Sequence, residues 1–232
     1  MISVCIATLN GEKYIKKQLS SIINQLGDGD EVVLSDDGST DGTLKIVEEL
    51  NCPMIRVFQG PHKGVAMNFQ NALSQAKGDF IFLSDQDDIW HEDKVEVCLN
   101  YLKSGYDCVV SDSRLVNAEE KEIFPSFFKK IGAKKNRFFN LLIKNAYVGC
   151  CMALKRDVVE KAIPFPEAIP MHDIWLGNVA AFKFKMKFID ECLIDFRRYE
   201  GNNSTTGSAS RYSLRDKLKM RWIVVNSLWN LK

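Results

Sequence analysis

No stretch of this 232-residue chain approaches the ~20 consecutive apolar residues of a membrane-spanning helix. The N-terminus also lacks a basic stretch followed by an apolar core, so no secretory signal is expected. The protein is therefore expected to be cytoplasmic, with any membrane attachment peripheral and at the inner face. Cysteine is present but not in a form that builds a scaffold. The seven thiols are odd in number, contain no C-x-x-C, and sit partly in apolar runs such as Ser3-Val4-Cys5-Ile6. That pattern argues against a disulfide framework or a structural zinc site and for small buried thiols. An excess of either charge is missing as well: 31 basic and 30 acidic residues leave a formal +1, which offers no global attraction for nucleic acid. Only three histidines occur, His62, His91 and His172, too scattered for a histidine-rich metal centre. Also absent are G-x-x-x-x-G-K-[ST], a G-x-G-x-x-G after the first strand and a G-x-S-x-G elbow. Their absence disfavours P-loop NTPases, nicotinamide dehydrogenases and α/β-hydrolases.

What the chain does have is enough apolar material, 46% of residues, to bury a sizeable core. Its first half alternates two periods. Short apolar runs at 2–7, 31–35, 54–58, 80–83 and 107–111 read as strands, and the segments at 12–25, 41–50, 65–76 and 92–103 carry apolar residues at helical spacing. Strands separated by helices of this length predict βαβ units, hence an α/β fold with a mostly parallel central sheet and helices on both faces. Beyond residue 116 the pattern loosens. Residues 121–145 are basic and aromatic, 147–154 reads as a strand, 172–184 as a helix, 186–196 as one or two strands and 211–231 as a helix.

In parallel sheets ligands bind beyond the carboxyl ends of the strands. Three polar clusters follow three strands: Thr8-Leu9-Asn10-Gly11, Ser35-Asp36-Asp37-Gly38-Ser39-Thr40-Asp41, and Ser84-Asp85-Gln86-Asp87-Asp88. Three carboxylates within four residues repel one another unless a cation neutralises them. Oxygen ligands of this kind suit Mg2+ or Mn2+. If the chain stays extended there, Asp85 and Asp87 project to one side. The same acids also suit a solvated turn capping the next helix. Asp41 suits a helix cap, but that role leaves Asp36 and Asp37 unexplained.

The three segments in order, with Gly78-Asp79-Phe80-Ile81-Phe82-Leu83 leading into the third and Ile89-Trp90 closing it, resemble the family 2 glycosyltransferases, and more narrowly their bacterial rhamnosyltransferase-like branch. The resemblance spans about residues 1–200. It implies a GT-A (nucleotide-diphospho-sugar transferase) fold in a single domain, with a nucleotide-sugar-binding half at 1–116, an acceptor-binding half at 117–210 and a C-terminal helix at 211–232. It implies an inverting transfer of rhamnose or another hexose from a dTDP- or UDP-linked donor to a hydroxyl of a cell-surface polysaccharide precursor, assisted by Mn2+ or Mg2+. Carried over by position, Ala7, Thr8 and Asn10 lie near the nucleotide, and Asp36 holds the base with Asp37 beside it. Asp85, Gln86 and Asp87 form the family's D-x-D element, in which Asp85 meets the donor and both aspartates meet the metal. Lys63 belongs to a loop that borders the donor in relatives or is simply exposed. In His172-Asp173-Ile174-Trp175, Asp173 is the candidate general base, or else a helix N-cap. His172 and Trp175 are candidates for the acceptor side, although Trp175 suits a core position equally well.

The chain departs from the family at Phe196-Arg197-Arg198-Tyr199-Glu200-Gly201-Asn202-Asn203, where many relatives place a histidine before the Asn pair. Arg197 or Arg198 is then the candidate for neutralising charge. The Gly201–Ser210 loop is a candidate lid. The basic, aromatic stretch at 124–144 and the last helix suit either a lipid-linked glycan acceptor at a membrane surface or solvated charge over a core. Two rival functions share part of this pattern. A nucleotidyltransferase lacks its glycine- and basic-rich loop here, and a non-catalytic nucleotide-sugar sensor has no need of Asp85, Asp87 and Asp173 together.

Overall fold

The computed structural model describes residues 1–199 and 213–231. The Gly201–Ser210 loop expected to act as a lid, and Arg211, lie outside the described residues.

Strand β1 (Ile2–Thr8) is buried along its whole length, as a central parallel strand covered on both faces must be. It lies between β2 (Glu31–Asp36) and β4 (Phe80–Asp85), both parallel to it, and β3 (Ile55–Gln59) continues the sheet beyond β2. The connections are α1 (Ile15–Ile23), α2 (Thr43–Glu49) and α3 (Val65–Gln75), which bury Leu19, Val47 and Phe69 among their inward residues. Strand register then sets the positions of the polar clusters. Ala7 is level with Ser35 on one side and Asp85 on the other, while Thr8 is level with Asp36. All three segments therefore end on one edge of the sheet.

The second half completes the same sheet. β8 (Met152–Lys155) runs antiparallel between β4 and β6 (Cys108–Val116), and β9 (Met186–Arg197) runs parallel to β6. Short β5 (Ile89–Trp90) and β7 (Glu122–Phe124) pair with β9 and β6. Among the described residues nine strands form this one sheet, in the order β3-β2-β1-β4-β8-β6-β9-β5 with β7 beside β6. Around it pack α4 (Lys94–Lys103), α5 (Phe127–Ile131), α6 (Arg137–Leu142), α7 (Arg156–Ala162), α8 (His172–Lys183) and α9 (Leu214–Asn230). One apolar cluster includes Val4, Leu34 and Phe82 from the first half and Leu154, Leu176 and Ile194 from the second.

Three expectations change. The 147–154 segment is not one strand, because the chain makes a 3-10 turn at Gly149–Cys151 before β8 starts. That turn is closed by the Cys151 N–H donating to Val148 O at 3.0 Å. The strand expected at 107–111 runs on to Val116, because β9 lies alongside it over that whole length. The extended path assumed at Asp85–Asp87 ends at Asp85, where the chain turns.

Asp195 on β9 ties β6 to the residue that follows β5. It accepts from Arg114 Nε at 2.8 Å and Nη2 at 2.7 Å, and its Oδ1 lies 2.8 Å from His91 Nε2. Burial alone pushes its carboxyl up, but the hydrogen bonds and charges of His91 and Arg114 outweigh this and hold it at about 2, below its ordinary 3.8. The native state therefore favours ionised Asp195, a contribution full above the ordinary value and lost as pH falls toward the folded one. Tm should drop on acidification from pH 3.8 to about 2, and Asp195→Asn should flatten that part of the Tm–pH curve in differential scanning calorimetry.

Candidate active site

The rim begins with a cross-tie between β1 and β4. Gln86 Oε1 accepts from Thr8 Oγ1 at 2.6 Å and from the Leu9 N–H at 2.9 Å, and its Nε2 donates to Leu9 O at 3.1 Å. Next along, Asn10 adopts φ +52°. Its N–H donates to Ser39 Oγ at 2.8 Å and its Oδ1 accepts from the Thr40 N–H at 2.9 Å, which joins the first loop to the second. Asp36 is buried and folds its own turn, accepting from the N–H groups of Gly38 at 3.1 Å and Ser39 at 2.8 Å. Asp37 reaches the next loop instead, accepting from the His62 N–H at 2.6 Å and the Gly64 N–H at 3.2 Å. Lys63, between those two residues, is exposed. Asp41 accepts from the Thr43 N–H at 3.0 Å at the start of α2, but the N-cap position expected for it is held by Gly42.

The acids after β4 form the floor. Asp88 is 1% exposed; its Oδ1 accepts from the Arg197 N–H at 3.0 Å, while its buried Oδ2 has no hydrogen-bond partner. Ligand atoms of Asp85, Asp88 and Cys150 all lie within 4.8 Å of one another. Asp87 stands outside that tight group, because the turn after Asp85 redirects it. Its Oδ2 accepts from Tyr199 OH at 3.0 Å, and its backbone carbonyl accepts from Arg197 Nε at 2.8 Å. Burial, then the charges of Asp87 and Asp173, pushes Asp85 up to about 7. Burial also raises Asp87, with Tyr199, Arg197 and Arg198 opposing. Asp88 goes well above the ordinary carboxylate range through burial and the charges of Asp87 and Asp85. Crowded carboxylates and an orphaned buried oxygen are what a divalent cation would relieve, so the donor set fits one. Asp85 and Asp88 supply hard oxygens. Cys150, a softer donor, stands beside them.

Opposite stands Asp173, in the first turn of α8. It is not the N-cap, a position held by Met171. Its Oδ1 accepts from the Ile174 N–H at 2.7 Å. Burial raises its carboxyl to about 6, against the opposing hydrogen bonds of the Ile174 and Gly149 amides. Asp173 and Asp85 are close enough for one charge to shift the other, so the structure does bring these distant residues together.

His172 and Trp175 are a correction. Trp175 is 1% exposed and its Nε1 donates to Ala162 O at 2.9 Å, leaving no ring face for a sugar. His172 is buried, stacked on Phe69 with ring centroids 3.9 Å apart, and burial lowers it to about 3. Both rings pack the core beneath Asp173 rather than line an acceptor.

Comparison with known proteins settles the family. Residues 3–163 match the model of Glycosyl transferase family 2. The chain belongs to that family. Its relatives include the dTDP-rhamnosyl transferase RfbG of Shigella flexneri, 29% identical over 237 residues, covering 93% of this chain and 80% of that protein. Among solved structures, S. aureus TarS 1-349 in complex with UDP-GlcNAc superposes with a TM-score of 0.75 at 23% identity, covering all of this chain and 67% of that one. The mannosyltransferase PcManGT of Pyrobaculum calidifontis, in complex with GDP-Man and Mn2+, has a TM-score of 0.66 at 20% identity over 87% of this chain and 58% of that one. The fold is thus GT-A.

In this family 2 chain several site residues escape a motif reading. Asp88 and Cys150 join Asp85, and Lys94, fully buried, donates from Nζ to Cys150 O at 2.8 Å. Gly149 allows the turn to pass His172, since a Cβ there would sit 2.5 Å from His172 Nε2. The available signal was Gly149-Cys150-Cys151 itself, a glycine and two thiols interrupting a run otherwise typical of a strand. Because Gln86 ties the β1 loop to the end of β4 through three bonds, Gln86→Ala should cost about 1–2 kcal/mol in urea unfolding, with one or two of the lost bonds replaced by water.

Proposed function

We propose that the protein is an inverting glycosyltransferase that moves rhamnose or another hexose from a nucleoside diphosphate to a hydroxyl of a cell-surface polysaccharide precursor. The observation that carries this reading is Asp173, a carboxylate raised to about 6, held within electrostatic reach of Asp85 on the strand-end rim. A base with a value near neutrality is deprotonated at working pH yet still basic enough to take a proton.

On this reading the donor lies along the rim formed by Ala7, Thr8, Asn10, Asp36, Asp37, Lys63 and Gln86. The RfbG and TarS names support a dTDP- or UDP-linked sugar. The PcManGT complex supports Mn2+, and Mg2+ suits the same oxygens. Asp85 and Asp88 would hold the cation, with Asp87 alongside, and the bound cation supplies neutralisation of the diphosphate charge. Asp173 accepts the acceptor hydroxyl's proton. The hydroxyl oxygen bonds to the anomeric carbon as the bond to the nucleoside diphosphate breaks, and a single displacement from the opposite face inverts the configuration. The acceptor is a glycan or lipid-linked glycan, and the enzyme works in the cytoplasm.

Asp173→Asn should cut kcat by about 10²–10⁴ in an assay of nucleoside-diphosphate release, while donor affinity by calorimetry stays within about twofold. In the unsubstituted protein kcat/KM should fall as pH drops through about 6, because protonated Asp173 cannot act as a base. A wild-type profile flat across that range would refute the assignment. Asp85→Ala should abolish Mn2+-stimulated turnover.

A further inference from the structure

We infer that α9, together with the adjoining end of α6, forms a docking surface for a bilayer rich in anionic phospholipid. The helix packs on the body of the protein through Val224 and Leu228, which are buried. A second apolar stripe faces solvent. Leu214, Leu218, Trp222, Val225 and Trp229 recur at intervals of four, four, three and four residues, which at 100° per residue confines them to an arc of ~80°. Their exposures run from 38% at Val225 to 87% at Trp229. A helix needs one apolar face to hold its place, so the second is surplus to packing.

The stripe continues onto α6. Phe138, Leu142 and Ile143 are 48–60% exposed and line a shallow apolar depression with Lys134 and Phe139. Arg221 on α9 donates to the carbonyl of Ile143, which joins the two elements side by side.

Charge selects the occupant. Residues 125–155 hold seven basic side chains and no acidic one, of which Lys135 and Lys155 pair with Asp190 and Asp107, and α9 adds Arg215, Lys217, Lys219 and Arg221 against Asp216 alone. In a chain of formal charge +1 this is a local excess offset by acids elsewhere. On α9, Arg215 and Lys219 border one side of the stripe, and Lys217 and Arg221 the other. A second copy of the chain would bring two basic surfaces together and be repelled. An anionic lipid surface satisfies both features: apolar side chains enter the acyl boundary while the flanking cations meet headgroup phosphates. Among the described residues no helix is long and apolar enough to cross a membrane, so the helix would lie in the interface plane.

The tryptophans provide the readout. Trp90 and Trp175 are buried at 3% and 1% exposure, so a change in emission on adding vesicles reports Trp222 and Trp229. The full chain is titrated with phosphatidylglycerol vesicles and with phosphatidylcholine vesicles, without donor or metal. The expected result is a blue shift and quenching by brominated acyl chains on phosphatidylglycerol, with at least about tenfold weaker binding to phosphatidylcholine. Arg215→Glu with Lys219→Glu, and separately Leu214→Ser with Leu218→Ser, should each weaken binding at least about tenfold with an unchanged circular dichroism spectrum. No shift on phosphatidylglycerol overturns the inference, as does undiminished binding of the charge-reversed variant. A lipid-free dimer by sedimentation with its tryptophans shielded from acrylamide would assign the stripe to a second copy instead. Nucleoside-diphosphate release measured without vesicles tests glycosyl transfer separately, so either reading can fail alone.

Discussion

Like charges held together out of water are the constraint around which this molecule is built. Asp85, Asp87 and Asp88 share a turn at the end of β4, and Asp173 adds a fourth carboxylate from the far half of the chain. Burial pushes all four above the ordinary carboxylate range, and repulsion from neighbouring carboxylates adds to it at Asp85 and Asp88. Such a cluster persists only where the surrounding structure over-determines it. Here Arg197 does much of the bracing: its backbone N–H holds Asp88, its Nε holds the carbonyl of Asp87, and its guanidinium also reaches Ala118 O and Glu120. Tyr199 holds Asp87 from the other side.

The sheet converts this local strain into a usable rim. Parallel register brings Ala7, Ser35 and Asp85 level, so three loops leave the sheet at one edge. Those loops then bind one another through Gln86, Asn10 and Asp37 rather than through long side chains. The carboxylates that the resemblance assigns to the nucleotide are thereby held at defined positions by backbone N–H donors. The second half meets this rim through the Gly149–Cys151 turn. Its Gly149 amide bears on Asp173, its Cys150 thiol stands beside Asp85 and Asp88, and its Cys150 carbonyl takes the proton donor of buried Lys94. A stretch that looks like plain strand sequence is the joint between the two halves.

Much of the architecture was legible because its signals are local. Strand and helix periods, and polar clusters placed after strands, are written in consecutive residues, and the order of three such clusters suffices to suggest the family. The errors arose where a residue's surroundings come from distant chain. His172 and Trp175 flank an acid at a helix start, which suits a sugar-binding role, but α3 and α7 supply Phe69 and the Ala162 carbonyl that cover them. Strand alternation would put Asp87 on the same side as Asp85, but the strand ends at Asp85 and the chain turns at the next residue.

The sequence by itself determined the α/β class, the strand-end placement of the acids and the family resemblance, because each depends on short local patterns and their order along the chain. Only the tertiary structure decided that Asp88 and Cys150 stand with Asp85, that Asp173 feels the same field, and that two aromatic candidates belong to the core. Electrostatic coupling and burial depend on distance through space, and residues 85, 150 and 173 become neighbours only when the sheet has closed.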